Sequence, residues 1–220
     1  MKIKWLGHSC FLLTSANGLR LLTDPFNEKV RFPLPEVEAD VVTVSHDAPG
    51  HNSQQAIKGE PMVLTGPGEY EIGGIFITGV STLNAAAKQE KNDQPSLPEH
   101  NTIFVFEFDK LTVCHLGDLG QIPTQAQVEA MPKVDVLLVP VGGGAALDAA
   151  RAAEVISLLE PSIVIPMHYQ TPLYTGKLDP VEKFLKAMGL PEPPVQEMLK
   201  ITAADLPEET QVILLECKQT

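Results

Sequence analysis

Six histidines are spread along this 220-residue chain: His8, His46, His51, His100, His115 and His168. His8 follows the apolar run IKWLG, His46 follows VVTVS, His115 lies within LTVCHLGD and His168 follows SIVIPM. Strand ends that converge at one edge of a sheet are where imidazoles can meet around a metal ion. Asp118, in a Gly-Asp turn, brings a carboxylate to the same kind of place. These are the nitrogen and oxygen donors that zinc, or a divalent relative such as manganese or iron, requires. The densest stretch is SHDAPGHN, residues 45–52, where His46 and His51 flank a Pro-Gly turn and can share a site without help from distant chain. His168 and Asp118 need the fold to bring them in. Taken singly, each histidine has an ordinary reading as a strand-end residue bonded to a carbonyl, and His100, beside a polar stretch, reads as solvent-exposed.

The elements that must position these residues are legible from the pattern. Residues 2–23 hold IKWLG, CFLLTS and LRLLTD, with Asn17-Gly18 as a hairpin signal, so the chain opens as a meander of strands. A strand at ADVVTVS leads into the histidine loop, then a short helical piece is expected at NSQQAIKG, and strands at PMVLTG, EYEIGG and GIFITGVST. Glu69 and Tyr70 are expected in a hairpin supporting the site wall. Residues 84–100 lack apolar periodicity and read as a flexible loop or lid. After NTIFVFEF and DKLTVCHLGD the pattern changes to strands alternating with helices, which argues for parallel pairing with helices outside. Gly142 to Gly144 read as a turn, because the run lacks the Lys and Ser/Thr of a phosphate-binding loop. The expected organisation is one domain over 1–220 with two similar halves, about 1–100 and 101–220.

Composition narrows the class of function. A hydrophobic content of 44% fills a substantial core at this length. The formal net charge of -12 works against general affinity for nucleic acid or anionic membrane. No run approaches the roughly 18 to 20 apolar residues of a membrane span, and the N-terminus shows no secretory pattern. Cys10, Cys114 and Cys217 are odd in number and lack C-x-x-C spacing, as expected of reduced thiols. A cytoplasmic protein follows; a small-molecule substrate or ligand and a possible homo-oligomer are the expected partners.

The strings WLGHSCFLL, LTDPF, SHDAPGHN, GPGEYEIGGIFITGV, NTIFVFE, HLGDLG, PVGGG and IPMHY, in this order and nearly end to end, resemble the metallo-β-lactamase-fold hydrolases, and within them the small UlaG-like proteins. The resemblance implies an α/β fold: a four-layer αββα sandwich of two mixed sheets with outer helices and a metal site at one sheet edge. It also implies ligands, some of them missing. The family's His-x-His-x-Asp-His motif falls on His46, Ala48, Gly50 and His51, and its next histidine falls near Asn84. Asp118 matches the carboxylate that bridges two metals, and His168 matches the final histidine. The first metal would thus retain only His46 and a share of Asp118, whereas the second would keep His51, Asp118 and His168. Three ligands and an open position describe catalytic mononuclear zinc sites.

The resemblance further implies that His8 and Asp24 orient ligands or contact substrate; Asp24 has an alternative reading as an Asx-turn before Pro25. His115, three residues before Asp118, is at least as much a structural residue beside the site as a catalytic one. The expected function is a metal-dependent hydrolase with at most one zinc, manganese or iron ion at His51, Asp118 and His168, Asp118 positioning the attacking water and His46 acting as a base or further ligand. The alternative is an inactive, metal-free relative that binds a small ligand or partner in the old cleft.

Overall fold

The computed structural model describes the chain except residues 28–29, 31–35, 49, 55–56, 86–98, 175 and 218–220. The described strands before residue 100 are β1 (Lys2–Gly7), β2 (Cys10–Thr14), β3 (Arg20–Thr23), β4 (Val37–Glu38), β5 (Val41–Thr43), β6 (Ile57–Lys58), β7 (Met62–Leu64), β8 (Gly68–Ile72) and β9 (Ile75–Leu83). They continue with β10 (His100–Phe108), β11 (Leu111–His115), β12 (Val136–Pro140), β13 (Ile163–Met167), β14 (Val195–Gln196), β15 (Leu199–Lys200), β16 (Gln211–Val212) and β17 (Leu214–Leu215). Among the described residues three α-helices interleave: α1 (Gln125–Glu129), α2 (Ala149–Leu159) and α3 (Val181–Ala187).

Two sheets dominate, in the orders β15-β1-β2-β3-β5-β7 and β16-β13-β12-β11-β10-β9-β8. Each begins as an antiparallel meander and continues as parallel strands, β3-β5-β7 in one and β11-β12-β13-β16 in the other. The two interlock in sequence, because β8 and β9 precede residue 100 yet belong to the second sheet, while β15 returns to pair with β1. Hairpin chemistry sets the register: Asp109 and Lys110 both take positive φ, 57° and 62°, the twist that a two-residue turn between Phe108 and Leu111 demands.

Alternation decides which residues face which layer. Ile3, Trp5, Phe11, Leu13 and Leu21 of the first sheet pack against Phe104, Phe106, Val113, Leu138 and Ile165 of the second, making the central core. The opposite face of the second sheet, with Ile103, Val105, Leu137 and Val139, is covered by Ala152, Val155 and Ile156 of α2 and by Phe184 and Leu185 of α3. Buried on both sides, β12 and β13 carry continuous apolar runs rather than alternation. The outer face of the first sheet, Cys10, Leu22, Val42 and Val44, is covered by Phe26, Val30 and Val37. This is the expected αββα sandwich, whose outer cover over the first sheet contains no α-helix among the described residues.

One expected element is not found among the described residues. Residues 52–54 are irregular and Ile57–Lys58 is a strand, in place of the helical piece expected at NSQQAIKG. Ile57 and Lys58 instead pair in parallel with Val37 and Glu38, and the Ser53 amide donates to Pro25 O at 2.7 Å, so both ends of the stretch are held to neighbouring segments. The polar stretch 84–100 lies outside the described residues over 86–98. Its described ends are tied together, the Asn84 amide donating to Glu99 O at 3.0 Å and the Glu99 amide to Asn84 Oδ1 at 2.8 Å. His100 opens β10 and is exposed, as its surroundings predicted.

Candidate metal centre

His8 follows β1, Asp24 follows β3, His46 follows β5, His115 ends β11 with Asp118 just beyond, and His168 follows β13. All of these are carboxyl ends of strands, and parallel pairing collects them at one edge of the sandwich. Hydrogen bonds then lock the two sheets together there, with the His168 amide donating to His8 O (3.1 Å) and the Thr102 amide to Ser45 O (2.8 Å). Among the described residues six non-glycine residues take positive φ; Asp109 and Lys110 form a turn and Glu160 caps α2. The other three are His8 (51°), Asp24 (39°) and His168 (51°). Left-handed backbone costs such residues about 1–3 kcal/mol and persists only where the surroundings over-determine it, a pattern that marks functional sites.

Asp118 is the hub. Its Oδ2 lies 3.4 Å from His51 Nε2 and 3.7 Å from His46 Nε2, and its Oδ1 lies 3.5 Å from His168 Nε2. Its amide donates to Asn101 Oδ1 at 2.9 Å, while the Asn101 Nδ2 group donates to Thr82 Oγ1 and Leu116 O, so a buried asparagine fixes the turn that presents the carboxylate. Burial opposes its ionisation, but His168, His51 and His46 outweigh burial and hold the carboxyl well below the usual range.

Asp24 organises the histidine loop from beneath. It is fully buried; its Oδ1 accepts from the Ser45 amide (2.7 Å), and its Oδ2 accepts from Ser45 Oγ (2.6 Å) and His51 Nδ1 (2.8 Å). Because Ser45 Oγ donates to Asp24, it accepts from His46 Nδ1 at 3.0 Å. One carboxylate therefore places the Nδ1 proton on both loop histidines and leaves both Nε2 atoms aimed at Asp118. Carboxylate orientation of an imidazole in this way is what metal-ligating histidines use. Burial alone would lower the His51 pKa, but Asp118 and Asp24 raise it to about 10.

His8, which the resemblance made an orienting or substrate-contacting group, lies among the nitrogens: one ligating atom each from His8, His51 and His168 lies within 4.8 Å of the others. Asp24, His46 and His51 form a second such group. His115 stands apart, with Nε2 donating to Ser9 O (2.8 Å) and Nδ1 accepting from the Gly117 amide (3.3 Å), so both ring nitrogens are spent on backbone. Gly142 touches the site indirectly: a Cβ there would lie 2.2 Å from His168 O, so the start of the Gly-Gly-Gly run permits close packing beside His168. Glu69 and Tyr70 lie on the edge strand β8, in the expected hairpin with β9, and neither side chain lines the cleft. Ser45, Asn101 and Tyr174, whose ring stacks on His8 at 5.4 Å, escaped the sequence reading. Ser45 beside His46 was the one visible signal.

The cleft holding this cluster measures about 430 Å³, with Ala48, Gly50 and Asn84 in its walls. Among the described residues, a second cavity of about 740 Å³ beside Trp5, Tyr169 and Cys217 has no histidine or aspartate in its lining.

The donors fit a divalent cation. Asp118 Oδ1 is buried without a hydrogen-bond partner, several imidazole Nε2 atoms face the same carboxylate, and the two aspartates outnumber the single imidazolium, His51.

The family model of the beta-lactamase superfamily domain matches residues 2–168. The chain belongs to the metallo-β-lactamase superfamily. Within it, a UPF0173 protein of Pyrococcus furiosus is 32% identical over 200 residues, covering 86% of this chain and 90% of that protein. A UPF0173 metal-dependent hydrolase of Nanoarchaeum equitans is 32% identical over 209 residues, covering 85% and 92%. The crystal structure of a Thermotoga maritima protein, described as a proposed zinc-dependent hydrolase of this superfamily, is 40% identical, with a TM-score of 0.78 over 98% of both chains. No helix among the described residues is long and apolar enough to cross a membrane.

The titration of the cluster gives a testable pH profile for chelator-treated protein. Burial first, and neighbouring imidazoles second, lower the pKa of His8, and burial is also the main cause of the lowered values of His46, His115 and His168. As pH falls below the ordinary histidine value of 6.5, the unfolded chain takes up protons that these four native imidazoles refuse, so stability drops. His51 acts in the opposite direction. Its raised pKa gives stabilisation that is fully present below 6.5 and lost as pH rises through about 10. Melting temperature measured against pH should therefore peak near 6.5 and fall on both sides, and His51→Ala should lessen the decline just above 6.5, while the buried thiols Cys10 and Cys114, whose pKa values burial raises, keep a decline at higher pH.

Proposed function

We propose that this member of the superfamily is a hydrolase of a small molecule that works with one metal ion held by His51, Asp118 and His168, and that zinc, manganese or iron fills the site. The observation that carries this reading is the buried Asp118 carboxylate with an unpartnered Oδ1, faced by the Nε2 atoms of His46, His51 and His168. One ion, not two, is favoured because Ala48 offers no donor and the Asn84 side chain is engaged with the Glu99 amide.

A divalent ion held there would supply Lewis acidity and lower the pKa of water towards ~7. The chain's own residues do the rest. Asp118, ionised across the working pH range, positions water by accepting its proton in a hydrogen bond. His46 is held neutral by burial, with Nε2 unprotonated and 3.7 Å from Asp118 Oδ2, and accepts a proton as general base. Asp24 keeps the tautomers of His46 and His51 correct throughout. The open cleft suits a small phosphoester, lactone or thioester.

Elemental analysis of protein purified without chelator should find about one equivalent of metal, and chelator should lower the melting temperature. Turnover on a panel of phosphodiester, lactone and thioester substrates should follow metal content. A protein that stays metal-free after reconstitution, melts indifferently to chelator and turns over nothing would instead be the ligand-binding relative.

A further inference from the structure

Gly50 occupies the position where the family motif carries its aspartate, and the structure fills the resulting space from another strand. A Cβ built on Gly50 would lie 2.9 Å from His8 Nε2 and 3.2 Å from its Cδ2. The imidazole edge of His8 thus stands where a side chain at residue 50 would enter the cleft. We propose that His8 is a metal ligand in place of the lost carboxylate, so that the ion is held by His8, His51, His168 and Asp118. This inference rests on the metal-dependent reading above and extends it to a residue outside the inherited ligand set.

Four further observations support it. The His8 ring centroid lies 4.2 Å from that of His168 and 5.0 Å from that of His51. His8 is only 5% exposed, yet it lines the same cleft as His51, Asp118 and His168. Its backbone is pinned in the left-handed region by two bonds to its carbonyl, from Trp5 Nε1 (3.0 Å) and the His168 amide (3.1 Å), which fix where the ring departs from the strand. Tyr174 stacks on the ring's outer side at 5.4 Å and restricts its rotation.

Exchanging a carboxylate for an imidazole has a chemical consequence. The site gains a nitrogen and loses a negative charge, which moves it away from manganese and towards zinc, cobalt and the other later first-row ions. Gly50→Asp alone cannot simply restore the inherited site, because the new side chain meets the His8 ring.

The test is metal binding by the full chain, stripped by chelator and titrated with zinc and with cobalt. His8→Asn suits it, because asparagine tolerates positive φ, and an unchanged circular dichroism spectrum verifies folding. His8→Asn should weaken zinc binding by roughly 10- to 100-fold or more, taking the loss of an orienting group as the lower bound, and should change the visible spectrum of the cobalt form. His8→Asn with Gly50→Asp should recover most of that loss. X-ray absorption of the zinc-loaded wild type, which requires no variant, should count three imidazoles. Equal affinity and an identical cobalt spectrum in His8→Asn, or two imidazoles in the wild type, would overturn the role of His8 while leaving the metal-dependent reading intact. A wild type that binds neither ion would overturn both.

Discussion

Replacing Asp118 with asparagine is expected to abolish metal retention and hydrolysis together, and to cost stability even in the metal-free protein. Asparagine has nearly the same shape, so the effect isolates charge. The carboxylate serves three imidazoles, at 3.4 Å from His51, 3.5 Å from His168 and 3.7 Å from His46. Its loss removes the anionic donor, and metal affinity should fall by more than about 100-fold, beyond what is usual for removing a group that merely orients a ligand. Breaking a buried ion pair costs about 3–5 kcal/mol; the lower end applies, because Asp24 still holds His51 on its other nitrogen. For a chain of this size about 3 kcal/mol corresponds to a fall of roughly 6–12 °C in melting temperature. Calorimetry in chelator measures that part separately from metal loss. A metal content equal to wild type in Asp118→Asn would remove the hub from the proposed mechanism.

Asp24 should separate orientation from architecture. In Asp24→Ala, Ser45 N, Ser45 Oγ and His51 Nδ1 all lose their acceptor in a fully buried place, at about 1–3 kcal/mol for each donor left unpaired. Alanine at a φ of 39° adds backbone strain. Poor folding is the expected outcome. Asp24→Asn is the sharper variant: its carbonyl can keep the Ser45 amide, but its NH2 group then faces His51 Nδ1 and drives the proton of that ring to Nε2. The nitrogen aimed at Asp118 and the ion would carry a hydrogen in the wrong tautomer. Metal affinity should therefore fall by about 10- to 100-fold with a much smaller loss of melting temperature than in Asp24→Ala. Isothermal titration with zinc, set beside melting curves, makes the comparison. Equal losses in both measurements would reduce Asp24 to a structural residue.

How much of this was legible beforehand depended on the kind of residue. The strands carrying Trp5, Phe11, Phe104 and Leu138 announce themselves, because apolar side chains repeat with the period of the sheet or run unbroken where both faces are buried. The turn at Asp109-Lys110 is equally local. The helical piece expected over 52–59 gives way to a strand at Ile57–Lys58, because those residues pair with Val37 and Glu38, partners that no local pattern reveals.

The candidate site divides in the same way. Sequence by itself determined the inventory of donors: His46, His51, His168 and Asp118 stand after apolar runs, Ala48 and Gly50 interrupt a metal motif, and the order of motifs points to the superfamily. Position along a strand is a one-dimensional property, and it survives in the letters. Tertiary structure alone decided how those donors are used. It set the tautomers through Asp24 and Ser45, spent His115 on Ser9 and Gly117, engaged Asn84 with Glu99, and brought His8 into the space that Gly50 leaves empty. Each of these depends on a distance between residues remote in the chain, and such distances arise only when two sheets close face to face.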